Sequence, residues 1–444
     1  MLFLDWPSDG IVARFALVLY GVIFLLFVLS RVRLNRVLAR LLPAALLWHL
    51  VVWAFTAFWM VPYYAAATGA DCYGYHVNGT AIAGLIRSGD WGSIPWGWNT
   101  AAMEIVTGVL YAPLGGDIYG MLFFSAIVGL CGALYFCLAF SLWVKPAQVR
   151  TYVLLVLFLP SFATWTGLLG KDSWIALGLG LACYGYSALL KARRGAGLRH
   201  LLAGVAITAA IRPHIAVALT ASMALAYVWG LTRTRHLSIP AKVRMAAMLV
   251  AMVTVLAYVA RGFLGLSDVS VDSLQEYGAA RSAGNAVGGS AVEVQAAPGV
   301  VGTLSAFPRG IVRVLLQPFP WEIHNVNAGM ASAENLFILW FALSHAKRLR
   351  WLIRGMVREP YVLFSSILAG GLLLILSLTP NLGLLSRQRT QLLPSVFAPL
   401  VAADAVRKRG ARPGRFTLYA GPPYRPGRPP AGFQPAVSST PWSH

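Results

Sequence analysis

Five short constellations in this chain carry side chains able to take a proton or hold an anion. Asp71 and His76, flanking Cys72 and Tyr75, offer a carboxylate and an imidazole, the usual general bases, although a solvated loop cluster is the competing reading. Lys171 and Asp172 lie in PSFATWTGLLGKDSW, where Pro160 and the Gly167/Gly170 pair interrupt a helix and expose backbone donors. A cation beside a helix start suits an anion, and Asp172 is placed to cap the helix that follows. Arg212, Pro213 and His214 break a long apolar run at its middle. An arginine there needs an anionic partner, either a carboxylate such as Asp172 or a phosphate of a ligand. Arg387 and Arg389 in NLGLLSRQRTQLLP are two guanidiniums whose paired hydrogen bonds suit a pyrophosphate, with ordinary headgroup contact as the other account. Glu322 and His324 in PFPWEIHN add a second carboxylate and imidazole. Their i, i+2 spacing matches no metal-ligand pattern, and no Gly-rich phosphate loop, GxSxG elbow or HExxH is usable, so neither a metal nor a cofactor is expected.

These groups matter because of where the rest of the chain must lie. Of 444 residues, 58% are hydrophobic and 11% charged, the mean hydropathy is +0.67, and a soluble domain carries about 25% charged residues. That excludes a soluble fold and leaves an all-α, polytopic helical membrane protein. Apolar runs bounded by charges or turn residues give about eleven spans: 11–30, 41–61, 120–144, 151–166, 173–190, 201–211, 215–231, 245–260, 333–346, 361–379 and 390–405. The fourth, sixth and last are short, as half-helices or misplaced ends would be. The membrane domain covers 1–405, interrupted by long segments at about 62–119 and 261–332. In the first, Trp91, Trp96 and Trp98 suit an interfacial belt, and Ala101 to Leu110 resembles a short helix at the membrane. In the second, Arg309 and Arg313 fall one helical turn apart. The basic, Pro/Gly-rich stretch 406–444 cannot bury a core and reads as a disordered tail.

The formal charge of +21 would suggest nucleic acid in a soluble chain. Placing the N-terminus outside puts 26 of the 36 Lys and Arg, but only Glu359 and Asp404 of the 15 acids, in cytoplasmic connections or the tail. The charge is then a topology marker, with membrane lipid as the partner and no nucleic acid. The first residues carry Asp5 and Asp9 and no basic region, so the first span reads as an uncleaved anchor. Cys131, Cys137 and Cys183 sit in apolar helices and Cys72 in an outside loop, which gives neither a disulfide framework nor a zinc cluster. Lys171, Arg212, Arg387 and Arg389 defy the charge bias, and all five constellations fall on one side of the membrane.

An Asp soon after the second span (Asp71), PSxxxWxxxxxKD (Pro160 to Asp172), RPH (Arg212 to His214), PFPWE (Pro318 to Glu322) and NxGxxxRQRxQxxP (Asn381 to Pro394) occur together. In this the chain resembles bacterial Wzy-type or EpsG-type polymerases of surface polysaccharides and, more distantly, GT-C glycosyltransferases. The resemblance covers most of residues 10–405. It implies a multi-pass protein of the bacterial cytoplasmic membrane that transfers glycan from a polyprenyl-linked donor on the outer face, beside other polysaccharide-assembly proteins. The residues agree with such a mechanism if Lys171, Arg212, Arg387 and Arg389 converge on a diphosphate while Asp71 or His76 takes the acceptor proton, with Glu322 and His324 in reserve and Asp172 and His214 beside the cations. A GT-C enzyme using a polyprenyl-phosphate sugar is the first alternative. The second is a flippase for lipid-linked oligosaccharide, although no inverted repeat is visible. A third is an O-acyltransferase, for which His49 is the candidate histidine.

Overall fold

The computed structural model describes residues 10–32, 34–63, 71–191, 194–233, scattered positions from 239 to 261, 299–323, 325–346, 359–377, 379 and 381–410. The described residues form helices: α1 (Ile11–Arg31), α2 (Arg36–Phe55, prolonged by a π-helical turn Thr56–Met60), α3 (Asp71–Ser88), α4 (Thr100–Tyr111), α5 (Ile118–Ser141), α6 (Pro146–Leu157) and α7 (Pro160–Thr166). There follow α8 (Lys171–Leu190), α9 (Arg194–Ile211), α10 (Pro213–Arg233), α11 (Gly299–Leu316), α12 (Val326–His345), α13 (Pro360–Ser377) and α14 (Leu382–Gly410). Among the described residues six helices are long and apolar enough to span a bilayer: α1, α2 with its extension, α5, α8, α12 and α13; α6 and α7 together make a seventh, bent by 51°. The protein is therefore a helical multi-pass membrane protein. The span list of eleven also includes α9 and α10, which are shorter apolar helices, and most of 245–260 and much of 261–332 lie outside the described residues.

Apolar sequence cannot decide which helix is central in a membrane, because lipid is as apolar as leucine; small residues that let backbones approach do so. In α5, 94% of the most apolar stretch is buried, against 33% in α1 and α2. A Cβ on Gly180 of α8 would stand 2.4 Å from the Gly132 carbonyl of α5, and one on Gly204 of α9 would stand 2.4 Å from the Ala182 nitrogen of α8. Those contacts bind α5, α8 and α9 into the core.

Pro160 produces the α6–α7 bend by removing a backbone donor and crowding the preceding turn. The freed groups are satisfied from elsewhere. Ser161 N donates to Glu334 (2.8 Å), and His49 Nε2 lies 3.2 Å from the Leu157 carbonyl, so the Nε2-protonated tautomer replaces the lost helical donor. This gives His49 a structural partner in the bend.

The segment expected as a loop at 62–119 contains two helices. α4 coincides with the short helix read at Ala101 to Leu110, but α3 starts at Asp71 and contains all of the Asp71–His76 constellation. Gly79 and Gly108 let α3 and α4 cross closely, since a Cβ on either would come within 2.5 Å of Thr107 or Ile82. α14 begins eight residues before the expected span and runs to Gly410, so Arg387 and Arg389 are helical. The remainder of the tail, 411–444, and Met1 to Asp9 lie outside the described residues.

Candidate functional site

The helix starts of α3, α8 and α10 and the second turn of α14 meet around one buried carboxylate, Asp172, whose side chain is 1% exposed. Asp172 is not an N-cap: Gly170 holds that position without a side-chain bond. Its Oδ1 accepts from Arg212 Nη2 (3.0 Å) and from Gln391 Nε2 (2.9 Å), and its Oδ2 accepts from Arg387 Nε. Arg387 continues outward, donating from Nη1 to Asp71 Oδ2 (2.8 Å). The Asp71 side chain is 68% exposed, so Arg387 spans from a dry carboxylate to a wet one. Between the two uses proposed for Arg212, the carboxylate is the one observed.

Local sequence explains the convergence. Pro213 cannot continue α9, so the chain breaks at Arg212 and turns its side chain toward the start of α8. Gln391 stands four residues after Arg387 and thus on the same face of α14. Gly170 allows Arg387 to lie against the backbone, because a Cβ there would meet Nη2 at 3.1 Å. Lys171 Nζ donates to Thr100 Oγ1 (2.8 Å), and Asn99 N donates to the Ala210 carbonyl (2.9 Å). The α3–α4 pair is therefore fastened over the cluster at three points.

The other expected residues are placed elsewhere. Arg389 points away from Arg387, because a spacing of two on a helix of 3.6 residues per turn turns a side chain by about 200°. It is fully buried, donates to Asn335 Oδ1, and pairs with Glu334 at 3.5 Å. This corrects the expectation that both arginines grip one diphosphate. His76 Nδ1 lies 3.0 Å from the Tyr111 hydroxyl, directed at α4. Burial holds its imidazole below the ordinary histidine value, against the pull of Asp117. Glu322 closes its own turn, accepting from Phe319 N (2.7 Å) and Gln317 Nε2 (3.0 Å). His214 is half-buried in the first turn of α10, and His324 lies outside the described residues.

Cys72 is buried in α3 and not in a loop, and burial pushes its thiol up to about 11, which makes it a poor nucleophile. Tyr75, also buried, is pushed up to about 12 despite the nearby Arg387. Among the described residues no three His, Cys, Asp or Glu side chains group closely enough to hold a metal ion. Sequence reading missed Gln391, Glu334 and Thr100. Glu334 alone carried a usable signal, as a carboxylate one residue inside an apolar span.

The arrangement can bind an anion and accept a proton in one place: an arginine with one exchangeable carboxylate partner, a lysine nearby, and that carboxylate once displaced. No family model, no curated protein and no solved structure matches this chain.

Proposed function

We propose that the protein transfers or polymerises polyprenyl-diphosphate-linked glycan units on the outer face of the bacterial cytoplasmic membrane. The observation that carries this reading is Arg387 held between buried Asp172 and exposed Asp71. Asp172 and Arg212 stay fixed in the interior and hold Arg387 in place. The Asp71 contact is the one a ligand can exchange, since an exposed ion pair is worth about 0–1 kcal/mol.

A diphosphate oxygen taking the place of Asp71 on Arg387, with Lys171 beside it, frees the Asp71 carboxylate. The acceptor hydroxyl then attacks the anomeric carbon: its oxygen forms the new glycosidic bond and its proton passes to Asp71. The bond from the anomeric carbon to the phosphate oxygen breaks, and the electron pair leaves on the diphosphate, where the two cations stabilise it. The N-terminus-outside orientation supports this reading, because it sets the cluster on the face with few other cations.

The test is to reconstitute the full chain in lipid with a polyprenyl-diphosphate-linked glycan and follow chain length. The wild type lengthens the glycan, and Arg387→Ala lowers the rate by about 10²–10³, as for loss of one transition-state donor. Movement of the glycan across the bilayer without lengthening would instead identify a flippase. Full-length polymer from a correctly inserted Arg387→Ala protein overturns the assignment of the site.

A further inference from the structure

The two cations assigned to the leaving group are also the two that fasten α3 and α4 to the bundle. Arg387 Nη1 donates to Asp71 at the start of α3 (2.8 Å), and Lys171 Nζ donates to Thr100 at the start of α4 (2.8 Å). Both contacts end at groups open to water: the Asp71 side chain is 68% exposed, and Thr100 is exposed. A backbone bond from Asn99 N to the Ala210 carbonyl (2.9 Å) is a third tie. Within itself the helix pair is one body. His76 lies 3.0 Å from the Tyr111 hydroxyl, Asn78 donates to Glu104 (2.7 Å), and Gly79 and Gly108 let the two helices cross closely. Its exit into α5 passes Gly115, whose φ of +91° lies in the region that favours glycine. Two residues later the chain is clamped: Asp117 accepts from Arg14 Nε (2.9 Å) and Nη2 (2.8 Å), and caps α5 through Gly120 N (2.7 Å). A stiff hairpin, a glycine pivot and a fixed anchor thus follow one another in the chain.

A diphosphate in the site acts on this attachment. Its oxygens compete with a neutral hydroxyl for the Lys171 ammonium and with an exposed carboxylate for the Arg387 guanidinium, and both are weak competitors. One ligand therefore releases the start of each helix. With Asp71 only 2.8 Å from Arg387, no acceptor fits between the carboxylate and a donor held on that arginine, so the same release makes the room that glycosyl transfer needs. We infer that α3 and α4 form a lid released by the ligand: a diphosphate bound to Arg387 and Lys171 unfastens the hairpin, which turns outward about Gly115 and carries Asp71 from its resting ion pair to the acceptor. The inference rests on the function proposed above and supplies the movement that admits both substrates.

Cys72, next to Asp71, reports the movement without any substitution. It is 2% exposed on α3, and the other three cysteines are buried in α5 and α8. Maleimide labelling of the full chain in phosphatidylethanolamine/phosphatidylglycerol nanodiscs is timed without ligand, with polyprenyl diphosphate and with the uncharged polyprenol, and Cys72→Ser gives the background. Retention of radiolabelled polyprenyl diphosphate on captured nanodiscs measures binding in parallel. The diphosphate should speed labelling of Cys72 about tenfold and the polyprenol should leave it unchanged. Thr100→Val, which removes the hydroxyl that Lys171 holds, should raise the rate without ligand about threefold. A diphosphate that binds and leaves the Cys72 rate unchanged or lower overturns the lid, as does equal acceleration by polyprenol. No binding of the diphosphate overturns the lid and the assignment of the site together. Chain lengthening is scored separately: faster labelling without lengthening sinks the transferase reading alone, and lengthening without faster labelling sinks the lid alone.

Discussion

Arg387 and Arg389 sit two residues apart on one helix and live in opposite surroundings. Arg387 joins a carboxylate that is 1% exposed to one that is 68% exposed. Arg389 is enclosed by Glu334, Asn335 and the Leu315 carbonyl. The difference teaches that two charges on one helix can be set in unlike surroundings: Arg387 keeps one partner within reach of water, and Arg389 keeps none there. The helical period separates the two environments.

The sharpest way to break that distinction is to remove the carboxylates of the Arg387 side one at a time. Asp172→Ala leaves Arg212 and Arg387 facing each other without their shared anion, and should cost about 3–5 kcal/mol of stability. Asp71→Ala, at the exposed end of the same arginine, should cost no more than about 1 kcal/mol. Reversible unfolding in mixed detergent micelles measures both. Equal costs would mean that Asp71 is as integral to the fold as Asp172 and not exchangeable.

On the Arg389 side the same logic gives a different pattern. Arg389→Met strands Glu334 beside Ser161 and should cost about 3 kcal/mol, whereas Arg389→Met with Glu334→Leu removes both charges and should recover most of that loss. A double variant no more stable than the single one would show that Arg389 holds the fold through Asn335 and Leu315 and that its pairing with Glu334 counts for little.

How far the sequence discloses this arrangement follows from the physics of each part. The helical membrane class is written in apolar run length, and the bend before α7 in Pro160, because both are local properties. Arg212 could be given Asp172 as a partner from sequence, since a cation at membrane depth demands one. The helix α3 was hidden by Gly74, Gly79 and Gly84, which weaken a helix locally; Gly79 is repaid by close contact with α4, a tertiary effect. The separation of Arg387 from Arg389 was legible only after the span containing them was extended back to Leu382, because two residues in a loop need not diverge and two in a helix must. Glu334 and Asn335 meet Arg389 across more than fifty residues, and spacing carries no signal over that distance.

The smallest expected effect tests the helix that carries the exchangeable partner. His76, on α3 with Asp71, has a pKa lowered from the ordinary 6.5, by burial first, with Asp117 pulling the other way. The unfolded chain therefore takes up this proton before the folded one does as pH falls. Its contribution to stability is complete above about pH 6.5 and is lost as pH falls through the lower folded value. Replacing it by glutamine keeps a hydrogen-bonding group near Tyr111 and removes the titration. Between pH 8 and pH 5 the thermal midpoint of His76→Gln should fall slightly less than that of the wild type. A steeper fall in His76→Gln would show that protonated His76 holds α3 down, and that Asp71 is presented to Arg387 by a charged imidazole and not by a neutral one.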